Sequence, residues 1–320
     1  MTEFERYVIE EHVEDFNDGL ISRRELLRRV GLVTGSVAAA AALLETMGCG
    51  TRPTSTPPGP SSRASSVPRD FATPPAQPTR DGVTVREDDP RIRVTPLPVT
   101  GTDGAALISY HAAPAGRQPA GGILVVHENR GLVPHIKDVV RRVATAGFAA
   151  LAVDLLSRDG GADRLSDPAA YAAALARRPV DAMVADLRQA LGALSASGVG
   201  GSLGMTGFCF GGGMVWNALA AGVDVRAAVP FYGPAPSDIA GLARTRAAVF
   251  AVYAERDSRI TASRDTVEAA LKKTGRPYRI VVYPGVDHAF HNDTGPRYDA
   301  TQAEAAWIAA VEWFRQYVPA

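Results

Sequence analysis

The residues with the clearest chemical potential lie in the stretch Gly207-Phe208-Cys209-Phe210-Gly211, which reads G-x-C-x-G. This is the pattern of a nucleophile elbow, with a thiol where a serine hydroxyl is more common. Flanking glycines let the backbones of a strand and a helix approach closely. A cysteine at a helix N-terminus is favoured as the thiolate by backbone N–H groups and the helix dipole. The alternative, a glycine-rich turn with a buried cysteine, can be judged only from partner residues.

An acid and a histidine follow this cysteine along the chain. Asp257 comes just after the predicted strand 247–253, and His288 lies in the loop after the predicted strand 278–283. Because active sites of doubly wound sheets lie at the carboxyl ends of strands, we expect these side chains to meet Cys209. Nucleophile, acid, histidine is the order of the α/β-hydrolase fold. His288 would hold the thiol proton, and Asp257 would orient the imidazole.

Attack by a thiolate on an ester or lactone carbonyl creates an oxyanion that needs backbone donors. The N–H of Phe210 is one candidate, because it belongs to the residue after the nucleophile. The second donor should come from the loop that follows the predicted strand 121–127, and we assign it to the N–H of Asn129.

Strands and helices alternate around these residues. A turn at 101–104 joins two strand-like segments, 91–99 and 105–111, and predicts a hairpin. Continuous apolar runs then predict strands buried on both faces. The fold class is therefore α/β, an α/β-hydrolase fold whose mostly parallel, doubly wound sheet has helices on both faces. The remaining predicted strands are 121–127, 148–154, 203–206, 227–232, 247–253 and 278–283, and the predicted helices are 134–146, two within 167–195, 214–220, 261–273 and 299–317.

The N-terminal residues 1–49 have the character of a targeting segment. Arg23 and Arg24 form a twin arginine ahead of an uncharged, alanine-rich stretch at 30–44, which resembles a twin-arginine export signal. The leader before Ser22 is acidic, whereas most such signals are basic. The alternative is an ordinary amphipathic N-terminal helix.

Cys49 follows a glycine and is a candidate for lipid modification. Residues 50–80 are rich in Pro, Ser and Thr and predict a disordered linker, ahead of a folded domain at 81–320. The linker would tether the domain to a membrane, or act only as a spacer. We expect an exported protein, extracytoplasmic or membrane-anchored, with the cytoplasm as the alternative. Since Cys49 and Cys209 are the two cysteines of the chain, no disulfide framework is expected.

Three short motifs of the folded domain resemble those of one known family, the dienelactone hydrolases or carboxymethylenebutenolidases. The resemblance covers roughly residue 83 to the C-terminus and implies a cofactor-free hydrolase that opens enol-lactones through an acyl-cysteine intermediate. The motifs are Gly207-Phe208-Cys209-Phe210-Gly211-Gly212, Ala254-Glu255-Arg256-Asp257 and Asp287-His288-Ala289-Phe290.

The resemblance also implies roles for further residues. Glu128, in the segment Val126-His127-Glu128-Asn129-Arg130-Gly131, would help to activate the thiol; the alternative is a solvent-facing loop residue. Tyr232 matches a pocket-lining tyrosine. Family members that act on dienelactone carry an arginine soon after the histidine, but none appears here before Arg297. Arg130 is our candidate for binding a substrate carboxylate, and Arg164 is another.

The chain has a formal net charge of zero, so nothing indicates a nucleic-acid partner. His288 and His291 lack a third ligand at metal-site spacing, and no metal site or cofactor is expected. We interpret His291 as structural. We expect a monomer that hydrolyses a small ester or lactone. The alternatives are a general carboxylesterase or thioesterase, and a catalytically silent binding protein that keeps the fold and pocket.

Overall fold

The structure is a computed structural model that describes residues 1–46, 83–199 and 202–319. The chain divides into two compact units, Met1–Pro74 with Ala172–Arg177 and Pro75–Tyr171 with Arg178–Ala320. The linker predicted at 50–80 and the candidate lipidation site Cys49 lie outside the described residues. Both therefore stay predictions.

The described N-terminal residues form three helices, α1 (Glu3–Asn17), α2 (Arg23–Thr34) and α3 (Val37–Thr46). A capping box begins α1, because Thr2 Oγ1 accepts a hydrogen bond from Glu5 N–H at 3.0 Å and Glu5 Oε2 accepts one from Thr2 N–H at 2.7 Å. The two arginines of the twin-arginine motif are the first residues of α2.

The uncharged stretch predicted at 30–44 is divided between two helices. Helix α2 ends at Gly35, which has a φ of 74° and so adopts the left-handed conformation that glycine favours. Within the described residues, no single helix is long and apolar enough to cross a membrane. The α2 and α3 helices satisfy that requirement only as a pair, and the pair is bent by 110°.

The second unit is built on a sheet of eight strands among the described residues, in the order β1-β4-β6-β5-β7-β8-β9-β10. Strand β4 runs antiparallel to both of its neighbours, and the other neighbouring pairs are parallel. This confirms the predicted fold class. The strands are β1 (Ile92–Val94), β2 (Val99–Thr100), β3 (Ala106–Leu107), β4 (Ser109–Pro114), β5 (Gly122–Val126), β6 (Ala149–Val153), β7 (Leu203–Phe208), β8 (Ala227–Phe231), β9 (Ala248–Ala254) and β10 (Tyr278–Tyr283).

Helices connect these strands along the chain. They are α4 (Pro134–Thr145), α5 (Gly161–Arg164), α6 (Pro168–Ala176), α7 (Val180–Ala196), α8 (Phe210–Ala220), α9 (Ser258–Thr261), α10 (Arg264–Lys272) and α11 (Ala300–Tyr317), with 3₁₀ turns at Ser157–Asp159 and Ile239–Arg244.

Three predicted elements are divided in the structure, and one of them is the strand predicted at 105–111, which becomes β3 and β4. The strand predicted at 91–99 becomes β1 and β2, because Pro96 and Pro98 lack the N–H that a ladder needs. The helix predicted at 261–273 starts earlier and is broken into α9 and α10. Asp257 begins α9 by accepting a hydrogen bond from Ile260 N–H at 3.2 Å. The hairpin predicted around 101–104 is confirmed by the antiparallel pairing of β2 with β3.

Every residue of β5, β6, β8 and β9 is buried, as expected for parallel strands that are covered on both faces. Parallel neighbours end at the same edge of the sheet. The residues that follow β5, β7, β8, β9 and β10 therefore emerge together at that edge, and these include every predicted side chain of the site except Arg164, which follows β6.

Candidate active site

Cys209 stands at a sharp turn between β7 and α8. Its φ of 57° and ψ of −122° are strained for a residue other than glycine. A Cβ on Gly207 would lie 2.3 Å from the carbonyl oxygen of Gly211, and a Cβ on Gly211 would lie 2.3 Å from that of Val126. Both glycines are thus required by close backbone approach. The Cys209 N–H donates to Phe231 O at 3.1 Å, which fixes the turn to β8.

The predicted acid and histidine meet beside this turn. His288 Nδ1 lies 2.6 Å from Asp257 Oδ2, and both side chains are almost fully buried. A ring nitrogen of His288 lies within 4.8 Å of Cys209 Sγ. The structure therefore brings together the three side chains that the sequence placed after three different strands.

The charges of this group reinforce one another. Burial would lower the pKa of His288, but the Asp257 carboxylate and the Cys209 thiolate raise it well above its ordinary value. Burial likewise favours the neutral form of Asp257, yet the neighbouring His288 holds the pKa of this carboxyl below its ordinary value. The arrangement stabilises an imidazolium between a carboxylate and a thiolate.

Glu128, just beyond the end of β5, is buried and reaches the loop that carries His288. Its Oε2 accepts a hydrogen bond from Asn292 Nδ2 at 2.5 Å. Its Oε1 has no hydrogen-bond partner among the residues that the structure describes. Sequence reasoning did not identify Asn292, because nothing in its local sequence indicates a partner 164 residues away.

A buried histidine holds the backbone next to Glu128. His127 Nε2 accepts a hydrogen bond from Leu155 N–H at 3.1 Å, so its Nδ1 carries the proton and donates to Glu128 O at 2.6 Å. Burial lowers the pKa of His127 although the nearby Asp154 opposes this shift, so the ring is neutral. The nearby Asp154 is itself held by the Tyr171 hydroxyl, which donates to its Oδ1 at 2.6 Å. Sequence reasoning assigned no role to His127.

The two predicted oxyanion donors belong to segments that the structure places beside the elbow. Phe210 is the first residue of α8, and its ring stacks on His127 with centroids 6.1 Å apart. Asn129 follows Glu128 in the turn after β5 and is half-buried. The roles of both N–H groups remain predictions.

Tyr232 lies at the end of β8 with an unusual φ of 36°. Burial, followed by the charges of Glu128 and Cys209, raises the pKa of its hydroxyl well above the ordinary value. The hydroxyl therefore stays protonated, and the ring packs edge-on against His288 with centroids 5.2 Å apart. Arg130 and Arg164 are both exposed, and among the described residues no hydrogen bond or ion pair joins Arg130 to the site.

The loop after His288 is anchored to α4 by buried charges. Asp293 contacts His135 Nδ1 at 2.8 Å and pairs with Arg142, which also donates to Asp138 at 2.6 Å. Burial opposes ionisation of Asp293, but His135 and Arg142 hold its pKa below the ordinary value.

His291 belongs to the same loop but faces aromatic side chains. Its ring stacks on Phe208 with centroids 5.0 Å apart and also packs against Trp307. Burial and the neighbouring Arg142 lower the pKa of His291 well below its ordinary value, so the ring is neutral.

A mostly parallel sheet with a strained strand-to-helix turn at Cys209, followed along the chain by an acid and a histidine, defines an α/β-hydrolase fold. The sequence profile described as Dienelactone hydrolase family matches residues 107–318, and the chain belongs to this family. It is therefore a hydrolase of the dienelactone hydrolase type.

Individual relatives agree with this assignment. Proteins of Methylorubrum extorquens and Escherichia coli, both provisionally named carboxymethylenebutenolidase, are each 34% identical over 254 and 233 residues. These matches cover 75% and 68% of this chain and 87% and 84% of the relatives. A crystal structure from Klebsiella pneumoniae, provisionally named dienelactone hydrolase, is 30% identical with a TM-score of 0.63 and covers 71% of this chain and 99% of that one.

Proposed function

We propose that this enzyme hydrolyses small carboxylic esters or lactones through an acyl-cysteine formed on Cys209. The observation that carries the proposal is the 2.6 Å contact between His288 and Asp257 with the thiol of Cys209 in reach of the same imidazole. The provisional names of the two bacterial relatives support a lactone as one substrate type.

In the first half-reaction the Cys209 thiolate attacks the carbonyl carbon, and a C–S bond forms while the carbonyl electrons move onto oxygen. The N–H groups of Phe210 and Asn129 stabilise this oxyanion. The intermediate then collapses, the C–O bond breaks, and the His288 imidazolium protonates the leaving oxygen. From a simple ester an alcohol departs, whereas from a lactone the hydroxyl stays on the acyl group.

In the second half-reaction water attacks the acyl-cysteine. The neutral His288 accepts a proton from this water, helped by Asp257, which stabilises the resulting imidazolium. Breaking the C–S bond restores the thiolate and releases the carboxylic acid. The imidazolium–thiolate pair is regenerated, so the cycle consumes only ester and water.

Glu128 takes part in ionising the thiol before the first attack. Besides burial, the charges of Glu128 and Cys209 both raise the pKa of the Tyr232 hydroxyl. This supports a site in which these three side chains lie close together. We assign Tyr232, whose ring packs against His288, to the surroundings of the acyl group.

The test compares the full chain with Cys209→Ala on p-nitrophenyl acetate and on a dienelactone. We expect turnover of the ester with a burst of nitrophenol, and a loss of about 10³-fold or more in the variant. Intact-mass measurement of a rapidly quenched reaction should show the acyl group on the wild-type chain only. Ester activity without lactone activity would favour a general carboxylesterase. No burst, together with ordinary iodoacetamide reactivity of Cys209, would overturn the proposal in favour of a silent binding protein.

We further propose that residues 1–49 direct export by a twin-arginine route. The motif at Arg23 and Arg24 and the alanine-rich residues after it support this. Replacing both arginines by lysine should keep the protein in the cytoplasmic fraction of the producing bacterium, and Cys49→Ala should release it from membranes if the cysteine is acylated. Unchanged fractionation of the double lysine variant would exclude the route.

A further inference from the structure

His288 lies in a long irregular loop. Residues 284–299, all of which the structure describes, join β10 to α11 and contain no helix or strand. Strand β10 is at one edge of the sheet, four strands away from β5. Because neighbouring strands lie about 4.8 Å apart, the loop crosses roughly 19 Å of the sheet to reach the helix that follows β5. A catalytic group in such a loop needs an attachment on each side to stay in place.

The beginning of this loop is bound to the end of β9. The N–H of Arg256 donates to Val286 O at 3.0 Å, two residues before His288. Ala289, directly after His288, has a φ of 62°, and this conformation persists in a residue with a Cβ only where the surrounding contacts enforce it. Since the contact with β9 comes before the histidine, the turn at Ala289 needs a second attachment after it.

The second attachment is made by Asp293, five residues after His288. Each oxygen of its carboxylate has a partner on α4, because Oδ1 lies 2.8 Å from His135 Nδ1 and Oδ2 pairs with Arg142. Burial opposes ionisation of this carboxyl, but His135 and Arg142 hold its pKa below the ordinary value. An ionised carboxylate only accepts hydrogen bonds, so the imidazole and the guanidinium are both donors. The direction of the carboxylate is therefore fixed from two sides.

Arg142 is itself held on its other side. Its Nε donates to Asp138 Oδ2 at 2.6 Å, and the side chain of Asp138 is fully buried. The same carboxylate accepts hydrogen bonds from Val85 N–H at 2.8 Å and from Thr84 Oγ1 at 2.9 Å, at the start of the folded domain. The guanidinium thus lies between two buried carboxylates. A lysine ammonium, which is a single point charge, does not reproduce this planar arrangement of donors.

We propose that Arg142 is a positioning residue of the hydrolytic reaction. Its contact with Asp138 fixes the guanidinium, which in turn holds Asp293. The loop is then attached on both sides of His288, and the imidazole stays within reach of Cys209. This inference rests on the proposed function, in which His288 gives a proton to the leaving oxygen and later accepts one from water. Both transfers depend on the placement of the ring, and a displacement of about 1 Å can lower a rate by about 10²-fold.

A further contact of the loop does not replace this pair. Asn292 Nδ2 donates to Glu128 Oε2 at 2.5 Å, but Glu128 belongs to the irregular segment after β5, so this hydrogen bond joins one loop to another. Arg142 belongs to the last turn of α4, a helix of 12 residues that packs against β4 and β6. The ion pair with Asp293 therefore connects the loop to the rigid part of the fold.

The test compares Arg142→Lys, Arg142→Gln and Asp293→Asn with the wild type in the full chain. Circular dichroism and urea unfolding give the folded fraction at the assay temperature, so that kcat on p-nitrophenyl acetate is expressed per folded chain. We expect this kcat to fall about 10-fold in Arg142→Lys and Asp293→Asn and about 100-fold in Arg142→Gln, with KM changed by less than about threefold. Because Arg142→Gln removes the cation between two buried carboxylates and endangers folding, the two conservative variants decide the outcome. An unchanged kcat per folded chain in both would overturn the inference.

Arg158→Gln is a matched control. Arg158 also lies between two carboxylates, Asp103 at 2.6 Å and the buried Asp186 at 2.8 Å. These belong to the β2–β3 turn and to α7, which carry no residue of the proposed site. The control should lose stability and keep kcat per folded chain within about twofold of the wild type. Equal losses of kcat in Arg158→Gln and Arg142→Gln would show that general loosening is the cause, and would overturn the positioning role.

A second measurement does not depend on turnover. The imidazolium of His288 stabilises the thiolate of Cys209, so a displaced loop should move the acid limb of iodoacetamide labelling to higher pH. We expect a move of about one pH unit in Arg142→Lys and in Asp293→Asn, and no further move when the two are combined, because both act through one contact. An acid limb that stays in place would overturn the inference. If Cys209→Ala retains activity, the proposed function fails, and the labelling profile still decides whether Arg142 positions the loop.

Discussion

His288 Nδ1 and Asp257 Oδ2 lie 2.6 Å apart in the interior of the protein, and Asp257 also caps the short helix α9 through Ile260 N–H. The carboxylate is thus fixed by the backbone before it orients the histidine. Because one oxygen serves the helix and the other the imidazole, the direction of the ring is set by the end of β9.

Asp257→Asn should preserve the cap but disturb the tautomer of His288 and lower its pKa, since the Asp257 charge is one of the groups that raise it. We expect kcat on p-nitrophenyl acetate to fall by about 10²- to 10⁴-fold with little change in KM. Stopped-flow measurement of the burst should show slow acylation. A loss below about threefold would mean that another group orients the ring.

The stability of the protein should depend on pH through the same pair. The pKa of His288 is raised above its ordinary 6.5, so its stabilising contribution is complete below pH 6.5 and is lost as pH rises through the raised value. The pKa of Asp257 is lowered below 3.8, so its contribution is complete above pH 3.8 and is lost as pH falls through the lowered value. The pair therefore stabilises the fold most between these limits.

Thermal unfolding of the wild type and of His288→Gln across pH 3–9 would check this. The difference in Tm should be greatest in the acidic-to-neutral range and shrink in alkaline buffer. A difference that grows with pH would contradict the sign worked out here.

Gly211→Ala should strongly destabilise the elbow. The new methyl group would lie 2.3 Å from Val126 O and 2.6 Å from His127 O, and backbone atoms cannot easily move aside. We expect a loss of about 1–3 kcal/mol or more in the free energy of unfolding. Gly192→Ala is a matched control within α7, where nothing lies within 4 Å of the new carbon, and should raise stability by about 0.5–1 kcal/mol. Urea unfolding of both variants tests the contrast, and equal stabilities would refute it.

The two hydrogen bonds of His127 can be removed one at a time by substitution. His127→Asn can still donate to Glu128 O, whereas His127→Gln can still accept from Leu155 N–H. Because the first bond holds the segment with Glu128 and Asn129, we expect His127→Gln to lose more activity than His127→Asn, by roughly tenfold. Both variants should show similar Tm values. The reverse order of activities would assign the main role to the contact with Leu155.

The sequence predicted the central triad because each member follows a strong strand signal, and the ends of parallel strands meet by geometry. Cys209, Asp257 and His288 could thus be grouped without coordinates. The contact of Asn292 with Glu128 could not be found in this way, because it depends on how an edge loop folds over the sheet and on which way an amide points. His127 was missed for a similar reason, since its tautomer is defined only by the backbone of Leu155.

The secondary structure likewise contains elements that the sequence predicted and elements that it did not. Buried strands such as β5 and β9 were predicted within a residue or two, since apolar runs between turn signals define them. The break between β1 and β2 was available from Pro96 and Pro98 but was not used. The early start of α9 was not predicted, because Asp257 was assigned only to His288 and not also to the cap through Ile260 N–H.

The interlocked backbones of Gly207, Gly211 and Val126 have a consequence for engineering new substrates into this enzyme. Libraries that randomise the elbow glycines will be filled with chains that do not fold, whatever chemistry they encode. A more productive position is Tyr232, whose ring packs against His288 and whose side chain does not separate two backbones. Diversity should be directed there. The elbow glycines should be kept unchanged in every library member, because any altered specificity still depends on a folded elbow.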